Sequence, residues 1–364
     1  MTIYVGSLQY SPVYKSHCCA FGKACEEKGY PVKYLFSHEY SWLLSEDIRK
    51  KAVFIGHSTG IFSMIRDTLN PKNFHLIRKV FSEDQPTHVY IHNYHLLNHY
   101  IIKLSKKYGC KFIYHVHEPY TINKKAHGGL QQYWLHLYEL FEGMLINKAD
   151  TVIVSSKMAS YLFNLRYPKF SGKKMLVPLM YEDLGNSNTG LQDRKYITFV
   201  GPPVPAKNPE KFLEIVEYSA NNNLDLEFLL ISRSKIRDKR YYKYGNLRVY
   251  YKERISDEEF GELIKRSIVV LTPYKRETQS SVILVSYMYG TPVMSSNIGG
   301  LPEFVIHGET GYLLDMNAKA EKWVEGINYI RENLPRISKN CRKYFEENFS
   351  GKNWKKYLDS ILTA

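Results

Sequence analysis

Long apolar runs are missing from this chain. No stretch of 18 consecutive apolar residues occurs among its 364, so no segment reads as a membrane-spanning helix. The opening MTIYVGSLQY reads as a strand that begins a domain, without the charged-then-apolar order of a leader, and the expected location is the cytoplasm. Cysteine is scarce: Cys18, Cys19, Cys25, Cys110 and Cys341 are odd in number and form no C-x-x-C pair. That argues against a disulfide framework or a zinc knuckle and leaves them as reduced, buried small hydrophobes. Neither G-x-G-x-x-G nor G-x-x-x-x-G-K-[ST] is present, which removes the usual dinucleotide oxidoreductase and P-loop readings. His117-Glu118 lacks a second His three residues on, so a zincin is excluded. Gln is rare, six against 31 Tyr, a balance in keeping with depletion of thermolabile amides.

What is present is the composition of a soluble globular protein, 44% hydrophobic and 24% charged. The length suits two domains better than one core. The net charge of +14 is weighted to the first half, where residues 1–185 carry 23 Lys and Arg against 14 Asp and Glu. Such an excess serves solubility or suits an anionic partner: a lipid headgroup surface or a pyrophosphate-linked acceptor. Nucleic acid is not expected, because the charges are scattered and no nucleic-acid module appears. Peripheral contact with the inner face of an anionic membrane, through the basic N-terminal half, is the corresponding expectation.

Strand-like runs at Thr2–Gly6, Val32–Phe36, Ala52–Gly56, His88–His92, Lys111–Val116 and Thr151–Ser155 alternate with amphipathic stretches such as Ser16–Lys28 and Leu96–Tyr108. The alternation predicts right-handed βαβ crossovers and a parallel sheet, with ligands beyond the carboxyl ends of the strands. The polar, aperiodic Tyr181–Arg194 reads as a linker. The pattern then restarts with strand Tyr196–Val200, helix Pro209–Asn221, strands Leu226–Ile231 and Leu247–Tyr250, and helix Asp257–Arg266. Helices over about Lys319–Phe349 and Asn353–Leu362 close the chain. The expected division is residues 1–185, 186–345 and a terminal segment 346–364.

The most informative segment is TPYKRETQSSVILVSYMYGTPVMSSNIGGLPEFVIHGETGYLL, Thr272 to Leu314. Strand Ile268–Leu271 runs into a polar loop with Glu277, followed by a helix over about Ser281–Tyr289 that Gly290 ends and Pro292 bars from continuing. Glu277, Gly290, Thr291, Pro292, Gly299, Gly300, Pro302, Glu303, Gly308 and Gly311 follow a pattern that resembles the donor-binding half of retaining family-4 glycosyltransferases (glycosyl transferases group 1). One departure stands out: Val285 occupies the place of the second signature Glu. The resemblance implies an α/β GT-B architecture, two Rossmann-like domains facing each other across a cleft, with the terminal segment crossing back to the first. It also implies metal-independent, retaining transfer of a sugar from a nucleotide-sugar to a glycan or lipid-linked glycan hydroxyl, with no cofactor beyond that donor. A sugar-nucleotide epimerase of the same fold and a degenerate partner subunit are the alternatives.

The resemblance also assigns roles. FVGPPVPAKN, Phe199–Asn208, is similar to the family's phosphate loop, with Lys207 six residues after Gly201 and Pro202 in place of the customary Arg. Arg276, or Arg233 and Lys235, would supply the lost charge. Glu277 would accept hydrogen bonds from sugar hydroxyls, and Thr278, Gln279, Ser280 and Ser281 would meet sugar and phosphate at a helix N-terminus. Glu303 would cap or contact nearby, and Ser286 is a candidate to replace the missing ribose-binding Glu. The loop from Gly6 to Ser11 would touch donor phosphate or acceptor. In the first half, HVYIHNYH…KFIYHVHEP is similar to the family's paired strand-end histidines, placing His117 toward the donor sugar with His92, His115 and Glu118 around it. Read for metal instead, His92, His95 and His99 share a helical face and with His115 or His117 offer a zinc set. His95 and His99 also read as hydrogen-bonded structural histidines.

Overall fold

The computed structural model describes residues 2–119, 130–185 and 191–363, with side chains in the Leu130–Ile146 helix from His136 onward. The described chain forms two compact units. The first holds the described residues up to Glu182 together with those from Phe349 onward; the second includes Asp183–Asn348. The interior of the Tyr181–Arg194 linker, residues 186–190, lies outside the described residues.

The first unit is a parallel sheet of β1 (Ile3–Ser7), β2 (Val32–Phe36), β3 (Ala52–Phe54), β4 (His88–His92), β5 (Lys111–His115), β6 (Thr151–Val154) and β7 (Lys173–Leu176). Its strand order is β3-β2-β1-β4-β5-β6-β7. The chain builds outward from β1 to β3, then returns to lay β4 against the other side of β1, pairing Gly6 with Ile91. That reversal opens a crevice at the carboxyl ends of β1 and β4, where α/β sheets bind ligands. The central strands are buried on both faces, so β1, β4 and β6 read as unbroken buried runs without alternation. The helix Pro12–Glu27 covers one face with Cys18, Cys19, Phe21 and Cys25.

The second unit repeats the plan. Its strands are β8 (Tyr196–Val200), β9 (Glu227–Ser232), β10 (Leu247–Tyr251), β11 (Ser267–Thr272), β12 (Val293–Ser296) and β13 (Gly311–Leu314). They lie parallel in the order β10-β9-β8-β11-β12-β13. The reversal now falls between β8 and β11, whose carboxyl ends lead into the Gly201 and Glu277 loops.

The structure revises several boundaries. The edge strand β7 and the helices Ile61–Leu69 and Pro71–Asp84 are additions to the elements named from sequence. The expected single helix over Lys319–Phe349 is two, Ala320–Glu332 and Leu334–Asn348. Pro335 has no N–H to continue the first helix and its ring would strike the preceding turn, so it sits in the first turn of the second. Asn353–Leu362 is a 3-10 turn, Gly351–Lys356, followed by the short helix Leu358–Leu362.

Trp354, Leu358, Ile361 and Leu362 join the core of the first unit. Trp354 packs edge-on to Phe21 at 5.0 Å, and the Leu362 carbonyl meets His88 Nε2 at 2.8 Å. Lys28 pairs with Asp359, and Lys173 donates to the Ser360 carbonyl.

Candidate active site

The site in the second unit grows from the β8 and β11 ends. Gly201 takes φ +102° directly after β8, a left-handed geometry that disfavours a side chain, and a Cβ there would collide with Lys207 Nζ. The turn Pro205–Lys207 folds Lys207 back so that its Nζ donates to the Val200 carbonyl at 2.9 Å. The ammonium also lies 5.6 Å from the centroid of the buried Tyr274 ring, within cation–π range. Burial pushes the Lys207 pKa down to about 8, and the Glu277 charge opposes that fall. The two loops are tied by Lys275 N–H donating to the Ala206 carbonyl at 2.9 Å.

Glu277 is held by its backbone. The Gly300 N–H donates to its carbonyl at 3.0 Å, and Gly299, at φ +54°, approaches so closely that a Cβ would strike that oxygen. The Gly-Gly turn therefore fixes the loop that carries the half-buried Glu277. Thr278, Gln279 and Ser280 are buried behind it, and Thr278 Oγ1 has no hydrogen-bond partner. Ser280 is extended at the N-cap of the Ser281–Met288 helix and makes no side-chain cap bond. Arg276 is exposed beside Glu277, and Glu303 ends the turn Leu301–Glu303 half-buried. Arg233 is committed elsewhere, donating to the Ile255 carbonyl at 3.0 Å.

Val285 lies with Ser281 and Val282 on the half-buried face of the Ser281–Met288 helix. Ser286 does not share that face: it is fully buried and its Oγ donates to the Val282 carbonyl at 2.7 Å, so it cannot stand in for the missing Glu. Sequence reasoning passed over Tyr274 and Arg194. Arg194 ends the polar stretch that reads as a linker, yet it is buried, and its guanidinium donates to the carbonyls of Tyr289 at 3.0 Å and Gly290 at 3.1 Å and to Thr291 Oγ1 at 3.0 Å. It caps the carboxyl end of the signature helix. A polar neighbourhood conceals that role, because burial here comes from tertiary packing alone.

In the first unit, Gly6 lies within β1 and not in the loop after it, and its missing side chain admits the Leu35 carbonyl of β2. At the ends of β4 and β5 the rings of His92 and His115 stand 4.5 Å apart, His17 stacks on His92 at 5.0 Å, and Tyr14 meets His117 at 4.9 Å. His115 is structural at both nitrogens, 2.6 Å from Tyr90 OH and 2.6 Å from Ser155 Oγ. His17 Nδ1 reaches the Met180 carbonyl at 2.7 Å, while both ring nitrogens of His92 are buried without a partner. Burial drives every one of these imidazoles toward the neutral form: His17 falls to about 3, His117 to about 4, and His92 and His115 well below the usual value.

Behind them lie acids. Burial raises Glu118, with the Glu139 charge adding, and raises Glu142 to about 7 against the bond it accepts from Tyr114 at 2.6 Å. Asn93, in the left-handed region at φ +67°, turns the chain after β4 and donates to Gln9 Oε1 at 3.0 Å.

The shared helical face proposed for His92, His95 and His99 does not exist. His92 ends β4, His95 lies in the connection and accepts from Leu97 N–H, and His99 is in the helix Asn98–Lys107 beside Tyr94 OH at 3.0 Å. Among the described residues no three His, Cys, Asp or Glu side chains are arranged to hold a metal ion.

Residues 184–348 match the family described as Glycosyl transferases group 1, and residues 15–171 match Glycosyltransferase Family 4. Curated relatives include the spore coat protein SA of Bacillus subtilis, 23% identical over 49% of this chain and 50% of that one. Another is the Escherichia coli UDP-Gal:alpha-D-GlcNAc-diphosphoundecaprenol alpha-1,3-galactosyltransferase, 27% identical over 46% and 45%. The chain thus spans about half the length of the curated relatives it matches. In fold it is similar to a sucrose-phosphate synthase from Thermosynechococcus elongatus, TM-score 0.75 at 17% identity over 100% of this chain and 98% of that one. Anabaena HepE in complex with UDP-glucose gives 0.70 at 14% over 100% and 99%.

Proposed function

The chain belongs to the GT-B glycosyltransferases, a Family 4 region followed by a group 1 region, and on that premise we propose that it moves a sugar from a nucleotide-sugar donor to an acceptor hydroxyl with retention and without a metal. The observation that carries this reading is the juxtaposition of the Lys207 and Glu277 loops at the carboxyl ends of β8 and β11, where the strand order reverses. In this reading Lys207 and the open N-terminus of the Ser281–Met288 helix stabilise the departing pyrophosphate. A lysine poised near pKa 8 is readily held charged by an arriving diphosphate. Glu277 orients the sugar through its hydroxyls, and the leaving phosphate takes the acceptor proton, so no protein nucleophile is required. The acceptor is a glycan or a lipid-linked glycan, with His92 and Glu118 of the first unit as candidate acceptor-binding residues and His117 kept for the donor sugar. No cofactor is needed beyond the donor itself.

The test is a screen of UDP, GDP, ADP and dTDP and their sugars by thermal shift, followed by transfer or hydrolysis assays with the best donor. Glu277→Ala should lower kcat/KM by at least about a hundredfold, since transition-state contacts of this kind contribute roughly 3–4 kcal/mol. The variant should remain folded, because the bond from the Gly300 N–H to the Glu277 backbone carbonyl still anchors the loop. Near-normal turnover would remove Glu277 from the site. Activity should survive EDTA; loss restored by manganese or zinc would refute metal independence. Absence of turnover with every donor, alongside measurable nucleotide binding, would favour the degenerate partner subunit to which Pro202 and Val285 point.

A further inference from the structure

The loop after β8, residues 201–208, carries a single cation, Lys207, because Pro202 stands where the resemblance wants an Arg. A lysine ammonium rides on a flexible four-carbon stem. A lone lysine therefore serves a diphosphate well only if something fixes where the ammonium waits.

Three restraints meet on Lys207 Nζ. The Val200 carbonyl accepts from it at 2.9 Å, and the missing side chain of Gly201 leaves the space in which it lies. The third restraint comes from the other loop. Tyr274 follows β11 directly, is 1% exposed, and sets its ring centroid 5.6 Å from the ammonium. The bond from Lys275 N–H to the Ala206 carbonyl, one residue along from each partner, keeps ring and ammonium in register. Glu277, three residues beyond Tyr274, is within electrostatic reach of both: after burial, its charge raises the Tyr274 phenol pKa, and the same charge opposes the fall of Lys207. The ring is thus neutral. An aliphatic side chain of similar volume would fill the space equally well, but it would leave a half-buried ammonium facing apolar surface. An aromatic face offers it negative charge instead.

We propose that Tyr274 is a positioning residue of the donor site, its ring face holding the Lys207 ammonium in place for the donor's diphosphate. A single lysine can then serve where Pro202 has removed the customary second cation. The hold on the lysine stands on the geometry of the two loops; its consequence for the diphosphate rests on the glycosyl-transfer reading.

The experiment compares Tyr274→Phe with the same position carrying a trifluorinated phenylalanine, which keeps the shape of the ring and strips the negative charge from its face. Lys207 ionisation is followed by NMR of isotope-labelled lysine in the ligand-free chain, with Lys207→Met to assign the resonance. Binding of UDP, GDP, ADP and dTDP is followed by calorimetric titration. Tyr274→Phe should titrate and bind like wild type. The fluorinated ring should lower the proton affinity of Lys207 about tenfold and weaken the best-bound diphosphate by a similar factor. Once Lys207→Met has removed the ammonium, exchanging the ring should leave diphosphate affinity where it is. The proposal is overturned if Lys207 ionises alike with either ring, if Tyr274→Phe loses as much as the fluorinated ring, or if the loss persists without Lys207. Failure of all four nucleotides to bind the wild-type chain would sink the donor reading, and the Lys207 titration would still decide whether the ring holds the ammonium.

Discussion

At position 285 a valine stands on the half-buried face of a helix where the family pattern places a carboxylate. The ribose hydroxyls of a donor would there lack a charged acceptor, and Ser286 is turned away. A hydrogen bond to a carboxylate contributes roughly 1.5–3 kcal/mol, so Val285→Glu should tighten nucleotide binding about ten- to hundredfold by calorimetric titration. Unchanged or weaker binding in a folded variant would show that the register is misread. His17 carries a second prediction at this scale. Its folded pKa, about 3, lies below the ordinary 6.5, so the unfolded chain binds more protons between those values and stability falls as pH drops below about 6.5. At pH 5 one such imidazole costs about 2 kcal/mol relative to neutral pH. His17→Asn cannot titrate and should flatten the urea-midpoint profile between pH 7 and 5 by about that amount. Glu142 acts oppositely: its pKa, raised to about 7, makes its contribution present at low pH and lost as pH rises from 4.5 through 7. The net acid profile sums these two with the other buried imidazoles, which act in the same sense as His17, and a profile unaffected by His17→Asn would sink the assignment.

Among elements, the Gly299-Gly300 turn shows how sequence and site connect. Gly299→Ala meets both a left-handed φ and the Glu277 carbonyl, so the loop must shift. The expected cost is about 1–3 kcal/mol of stability, with kcat/KM reduced at least about tenfold although no atom that touches substrate has been changed. An alanine variant with unaltered kinetics would show that the turn does not position Glu277. This turn was legible in the sequence because glycine spacing reports backbone geometry directly. So were the buried strands around it and the helix stop at Gly290-Thr291-Pro292. Arg194 was not legible, since only the folded chain brings a linker arginine under the carbonyls of residues 289 and 290. β7 escaped notice because a short, half-exposed edge strand, Lys173–Leu176, carries no hydrophobic run. The imidazole cluster was half legible: strand-end His92, His115 and His117 stand out, but His17 and Tyr14 arrive from the Pro12–Glu27 helix, far earlier in the chain, and their meeting is a fact of topology.

On the scale of the whole molecule, the first unit is discontinuous in sequence. Its core closes only with Trp354, Leu358, Ile361 and Leu362. Trp354→Ala should therefore cost about 3–5 kcal/mol, read as faster amide exchange in β4, which carries Tyr90, and in β1 paired beside it. Protection in those strands equal to wild type would show that the segment is dispensable. The arrangement also sets an order of events during synthesis. The residues from Asp183 to Asn348 are contiguous, so the second unit can condense as soon as it clears the ribosome, at roughly 5–20 residues per second. The first unit, although made earlier, must wait with Phe21 and Tyr90 uncovered for many seconds until the last turns arrive. The half of the protein translated first thus cannot complete its core until residues made much later arrive, and in that interval chaperones have access to it.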